Sequence, residues 1–140
     1  MSVLPFLTPP EQEARALPLF TEWACDESTW ELALADGRMQ LLTGEPALRI
    51  WAQKALRTPL ARFAAYSVSY GSELEALIGQ PYSEAYIRAE TQRMVSEALL
   101  ASPYIAQVGQ TTTAMAGDGK LVVRVNYQSI YGPTEVEVIV

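Results

Sequence analysis

The sequence predicts an α+β fold: a small helical layer packed on an antiparallel sheet, with an extended N-terminal arm. Three observations carry that expectation. Apolar residues recur at helical spacing in the middle of the chain, strict two-residue alternation takes over in the last third, and prolines interrupt the first twenty residues.

The arm comes first. Pro5, Pro9, Pro10 and Pro18 each remove a backbone donor and favour extended geometry. Yet Leu4, Phe6, Leu7, Leu17, Leu19 and Phe20 are apolar, which is richer than a merely disordered tail. The expectation is an arm over residues 1–24 that lies on its own domain or on a partner. Residues 25–140 then form a single α+β domain whose β part begins near residue 103.

Within that domain, Thr29–Leu34 alternates Trp30, Leu32 and Leu34 against Glu31 and Ala33, and Arg38–Leu42 follows. Asp36-Gly37 between them is a strong hairpin signal. Thr43-Gly44-Glu45-Pro46 opens a helix, because proline is pre-shaped for the first turn. Leu48, Trp51, Ala52, Ala55 and Leu56 fall on one helical face, and Pro59 ends it. Residues 60–69 read as irregular or extended.

Ser72 and Glu75 have the spacing of a capping box for a short helix. Leu74, Leu77 and Ile78 give that helix its apolar face, and Gly79 suits the position after its end. A long helix starts at Ser83 and runs to about residue 101, burying Ile87, Met94, Val95, Ala98 and Leu99. Thr111–Ala116 reads as a strand, followed by a Gly117-Asp118-Gly119 turn. Over residues 120–130, Leu121, Val123, Val125 and Tyr127 alternate with Arg124, Asn126 and Gln128. After Gly132-Pro133, Val136, Val138 and Val140 alternate with Glu135 and Glu137.

Composition then excludes several chemistries. The 140 residues carry a formal charge of −6 with ten scattered basic residues, which argues against a phosphate-binding surface and hence against nucleic acid. Histidine is absent, which removes the commonest general base and metal ligand. Cys25 is the single cysteine, so an internal disulfide is impossible; a reducing compartment fits. No signal peptide and no membrane-spanning run is expected.

The acids form no convincing catalytic pair. Glu73 and Glu75 stand two apart on an expected helix and diverge, whereas glycoside hydrolysis needs carboxylates facing across a cleft. Glu84, Glu90 and Glu97, with Arg88 and Arg93, read as a solvated helix face. Asp118 reads as a turn former, and Trp23, Trp30 and Trp51 as core or interface anchors. No catalytic, cofactor or metal residue is assigned. The alternative kept open is a cell-wall glycosidase, for which Glu73, Glu75, Glu90 and Glu97 are the available acids. Two features point to assembly instead: the apolar, proline-broken arm, and a last strand whose free edge offers unpaired backbone groups to another chain.

The central segments carry a resemblance. Ala47 to Leu56 followed by Thr58, then Arg62-Phe63, Tyr66-Ser67, Tyr70-Gly71-Ser72-Glu73-Leu74-Glu75-Ala76-Leu77-Ile78-Gly79, and Glu90, Arg93 and Glu97 to Leu100 before Pro103-Tyr104-Ile105 occur in a telling order. With a β-rich tail ending in Ile130-Tyr131-Gly132, they make residues 29–140 resemble the PBSX-prophage type of baseplate protein from contractile phage tails. That group is related to the lysozyme-like baseplate wedge proteins, also called sheath initiators. Pro59-Leu60-Ala61 stands where the family usually has a Glu-Arg-Tyr cluster, and Ser69 where an acid is common. Arg62 is therefore the nearby cation carried over.

The resemblance implies a structural subunit rather than an enzyme, present in six copies per baseplate of a virion tail or tail-like particle assembled in the bacterial host cytoplasm. Its implied partners are the larger baseplate wedge proteins and the tail sheath protein, with tube or hub proteins beyond them. Trp51, Arg62, Tyr70, Gly71, Leu74 and Leu77 would serve the wedge side. The strand carrying Val136, Val138 and Val140 would meet the first sheath subunits by strand exchange. On that reading, residues 134–140 are expected to be removable without unfolding the chain.

Overall fold

A computed structural model describes residues 17–58, 71–79, 81–116 and 118–140. The element order is β1 (Thr21–Trp23), β2 (Leu34–Ala35), β3 (Arg38–Met39), β4 (Leu41–Thr43), α1 (Glu45–Arg57), a single 3-10 turn (Leu74–Leu77), α2 (Glu84–Leu100), β5 (Ile105–Met115), β6 (Leu121–Ser129) and β7 (Gly132–Ile139). The last three strands form an antiparallel meander in the order β5-β6-β7, while β1 pairs with β4 and β2 with β3 in small ribbons. The expected α+β class is what the chain adopts: α2 packs over β5, and α1 over β7 and the β1–β4 ribbon.

β6 makes the core. Leu121, Val123, Val125 and Tyr127 are all 2% exposed or less, as the alternation requires. Leu48, Ala52 and Leu56 of α1, and Met94, Val95, Ala98 and Leu99 of α2, close over that row, joined by Val136 and Val138 of β7. α1 opens with Pro46 in its first turn and ends at an extended Thr58, the conformation favoured before Pro59. The Ser83 hydroxyl caps α2 by accepting from the Tyr86 amide at 3.2 Å.

Four expectations need correction. The strand expected over Thr29–Leu34 is broken, because Trp30 takes a left-handed φ of 62° and Asp26 folds the preceding residues into a turn through Ser28 and Thr29. The hairpin turn itself is as expected, with Asp36 at φ 52° and Gly37 at φ 74°, but only a two-residue ribbon flanks it. The expected short helix is one 3-10 turn. Ser72 there donates its hydroxyl to the Leu56 carbonyl at 2.7 Å and its amide to Thr58 at 2.8 Å, tying the segment to the end of α1. Finally, residues 134–140 cannot be dispensable for folding, since Val136 and Val138 are 1% and 2% exposed.

β5 also begins six residues before its expected start. Two register shifts, between Ile105 and Gln107 and between Val108 and Thr111, hide its alternation. Gly109 sits within the second, where a Cβ would meet the Asn126 carbonyl oxygen at 3.1 Å. The expectations for residues 60–69, the Glu75 side chain and Gly117 lie outside the described residues.

Two measurements test this core. Leu99→Ala, at a side chain with 0% exposure, is expected to lower unfolding free energy by about 2–5 kcal/mol in urea. Leu100→Ala, at a side chain 48% exposed, should stay within about 0.5 kcal/mol. Burial, with Glu45 nearby, pushes the Tyr127 phenol from its usual 10 up to about 12. The folded state therefore holds that proton more tightly, so its stabilising contribution is whole below pH 10 and lost as pH rises toward 12. Tyr127→Phe should flatten the alkaline fall in melting temperature over that interval.

Candidate functional site

The sheet has two edges, and they differ. Along β7 the register is unbroken from Val122↔Ile139 to Ser129↔Gly132. Leu121 and Val140 exchange both backbone hydrogen bonds, at 2.8 and 3.2 Å. Doubly bonded pairs alternate with unbonded ones in an antiparallel ladder, so Val138, Val136 and Thr134 also spend their amides and carbonyls on β6. Glu135, Glu137 and Ile139 turn theirs outward, and no strand among the described residues pairs with that side. Pro133 falls in the outward set, where its missing N–H costs no ladder bond.

β5 is a poorer edge. Its register shifts break the row of free groups, and Gln92 of α2 occupies part of it. The Gln92 amide nitrogen donates to the Gly109 carbonyl at 2.9 Å, and its oxygen accepts from the Thr111 amide at 2.8 Å and hydroxyl at 3.2 Å. A bulged, side-chain-covered edge resists strand addition; a regular one does not.

Residues 135–139 line a groove of about 690 Å³ whose far wall is α1 and the turn before β2, through Arg49, Gln53, Arg57 and Trp30. The Trp30 ring lies 4.6 Å from the Arg57 guanidinium carbon. Arg49 pairs with Glu27 at 3.4 Å, and Arg124 bridges Glu135 and Glu137 on the outer face of the sheet. Gln53 is 3% exposed, and its side-chain oxygen lacks a hydrogen-bond partner among the described residues.

The residues singled out from sequence fall as follows. Leu74 and Leu77 join Val136 and Val138 in one apolar core, with Trp51 and Val140 packed against it. Gly71 is buried with φ 106°. Arg62 and Tyr70 lie outside the described residues. Three of the four acids considered for glycoside chemistry converge on a cation: Arg93 pairs with Glu90 at 2.7 Å, Glu97 at 3.0 Å and Glu73 at 3.6 Å. Their oxygens are spent on one exposed guanidinium instead of facing each other across a cleft.

Sequence reasoning missed how residues 17–20 are held. The Tyr104 hydroxyl donates to the Pro18 carbonyl at 2.7 Å, and the Tyr131 hydroxyl accepts from the Phe20 amide at 2.9 Å. Phe20 meets Tyr104 edge-on at 4.9 Å and Trp51 at 6.5 Å. Two tyrosines at the ends of β5 and β7 thus dock the segment leading into β1. The signal was two tyrosines beside turn residues, which says nothing of a common target.

What the described residues offer a partner is backbone edge and apolar surface, the equipment of a structural assembly protein. The comparison of sequences makes the class specific. Residues 21–132 match the contractile injection system sheath initiators, and the chain belongs to that family, a structural component of phage tails. The match runs from the first residue of β1 to the first of β7. A relative is the phage-like element PBSX protein XkdS of Bacillus subtilis (strain 168), 29% identical over 112 residues, covering 78% of this chain and 79% of the relative. No helix among the described residues is long and apolar enough to cross a membrane.

Tyr131→Phe should speed hydrogen exchange at the Phe20 amide and cost about 0.5–1.5 kcal/mol in stability. Tyr82→Phe, at a ring 43% exposed and tilted against Tyr86, should leave that amide unchanged.

Proposed function

We propose that this sheath initiator is a baseplate wedge subunit that links the larger wedge proteins and starts the sheath by accepting a strand on the outer edge of β7. The observation that carries the proposal is the regular edge of Glu135, Glu137 and Ile139, unpaired among the described residues, beside an open groove. An extended segment of the first sheath subunit would bond to these backbone groups, adding a fourth strand to the meander. Val136, Val138 and Val140 belong to that strand but act inward, anchoring it so that the edge is held rigid before the partner arrives. Ile139, 51% exposed, is the side chain of β7 best placed to meet the incoming chain.

The wedge side is assigned to the helical layer. Leu74 and Leu77 would shape it from beneath, with Trp51 at its margin and Arg62, Tyr70 and Gly71 in or beside the segment joining α1 to the 3-10 turn. Six copies around the tail tube, with tube or hub proteins nearby, complete the proposed setting. Work would come from reorientation of these subunits as the baseplate rearranges.

Proline substitution separates edge from core. Glu137→Pro removes an outward N–H and leaves every β6–β7 hydrogen bond intact, so the chain should remain folded with a cooperative melt. Particles made with it should show baseplates without polymerised sheath by electron microscopy. Full-length sheathed tails from a folded Glu137→Pro protein would rule out strand addition at this edge. Thr113→Pro, which likewise removes only an outward N–H but on the β5 edge, should leave sheath length unchanged.

A further inference from the structure

The ribbons carry a surface that neither the core nor the β7 edge uses. Trp23 of β1 opposes Leu41 of β4, and Leu34 of β2 opposes Met39 of β3. Directly opposed residues of an antiparallel pair share a face. Met39 and Leu41 stand two apart on one extended run, so both pairs lie on the same side. Leu32, two before Leu34 and bridged to Cys25, joins them.

These side chains are open to solvent: Trp23 is 42% exposed, Leu32 46%, Leu34 58%, Met39 44% and Leu41 53%. The two-residue β2–β3 ribbon is exposed on both sides, whereas the other side of the β1–β4 ribbon already faces the domain. Ala24 is buried there, Leu42 is half-buried, and Glu22 pairs with Lys54 of α1 at 3.3 Å. A ribbon packed on one side is expected to be polar on the other. Here five large apolar side chains, each about half exposed, offer roughly 400 Å², the size of the largest apolar patch on a typical soluble monomer, which is often functional.

Charge decides the occupant. Between Thr21 and Thr43 stand Glu22, Asp26, Glu27, Glu31 and Asp36 against Arg38 alone. Lys54 matches Glu22 and Arg49 matches Glu27, leaving Asp26, Glu31 and Asp36 exposed in the same segment with one base. A second copy brought face to face would set acid against acid, an arrangement that costs binding energy. We propose that this ribbon face docks a different tail protein through an apolar patch bordered by lysine or arginine. The apolar centre would supply the contact area, and the acidic border the orientation. This surface is separate from the β7 edge, so the proposal stands or falls independently of strand addition.

The test places the photo-cross-linker p-benzoylphenylalanine at Leu34, and separately at Leu41, in the full-length chain assembled into tail particles. Irradiated particles are digested and the linked peptides sequenced by mass spectrometry. Both positions should link to one other tail protein, at apolar residues flanked by Lys or Arg. Glu31→Lys combined with Asp36→Lys should cut the yield at least fivefold while leaving the melting temperature within a few degrees. Links to a second copy, to residues 1–16 of the same chain or to an acid-bordered segment would overturn the proposal. So would a yield no higher than from the cross-linker at exposed Lys120, or one that charge reversal leaves unchanged.

Discussion

Leu121, Val123, Val125 and Tyr127 stand in a row on one face of β6, and the other elements take their positions from that row. Each such side chain gains about 1.5–3 kcal/mol on leaving water, an upper estimate because the unfolded chain already hides some surface. The row can be covered only by apolar stripes of matching length, which α1 and α2 provide. β5 and β7 are then fixed on either side by the ladder, and Val136 and Val138 extend the apolar floor by one strand.

That constraint divides the labour within β7. A strand's side chains alternate between two faces, while its backbone groups alternate between two edges. The valines therefore belong to the core through their side chains and to β6 through their backbones. The residues between them, Glu135, Glu137 and Ile139, are left with both side chain and backbone turned outward. An interface built this way depends on the core for its rigidity. It presents mostly main chain to a partner, whose sequence need then match only weakly. The opposite edge is interrupted by the β5 bulges and by Gln92, so on the proposed reading a strand would be added at β7 alone. One-sided growth suits a protein that starts an ordered polymer.

Much of this was legible beforehand. The period of β6, the capping serine of α2, the proline-bounded α1 and the Asp36-Gly37 turn all report local physics, and each stands where the pattern put it. The errors share a different cause. Trp30 read as a strand residue because its neighbours alternate, but Asp26 forms a turn and Trp30 settles over Arg57, which is 27 positions away. Ser72 read as a cap, yet its hydroxyl reaches the carbonyl of Leu56. β5 lost its alternation to two bulges, which local periodicity cannot show. Val136 and Val138, expected at a partner interface, have their side chains in the core instead, with Val140 packed against it.

The sequence by itself determined the class of fold, the two helices, the apolar row of β6 and the absence of histidine, because these follow from composition and from spacing along a few residues. Its ordered run of weak motifs also pointed to the family. Only the tertiary structure decided which sheet edge is unpaired among the described residues, that Tyr104 and Tyr131 hold the segment before β1, that three glutamates gather on Arg93, and that Trp23, Leu34, Met39 and Leu41 of the ribbons are exposed. These properties depend on ladder parity and on contacts between residues as far as 111 positions apart, for which nothing local in a sequence selects.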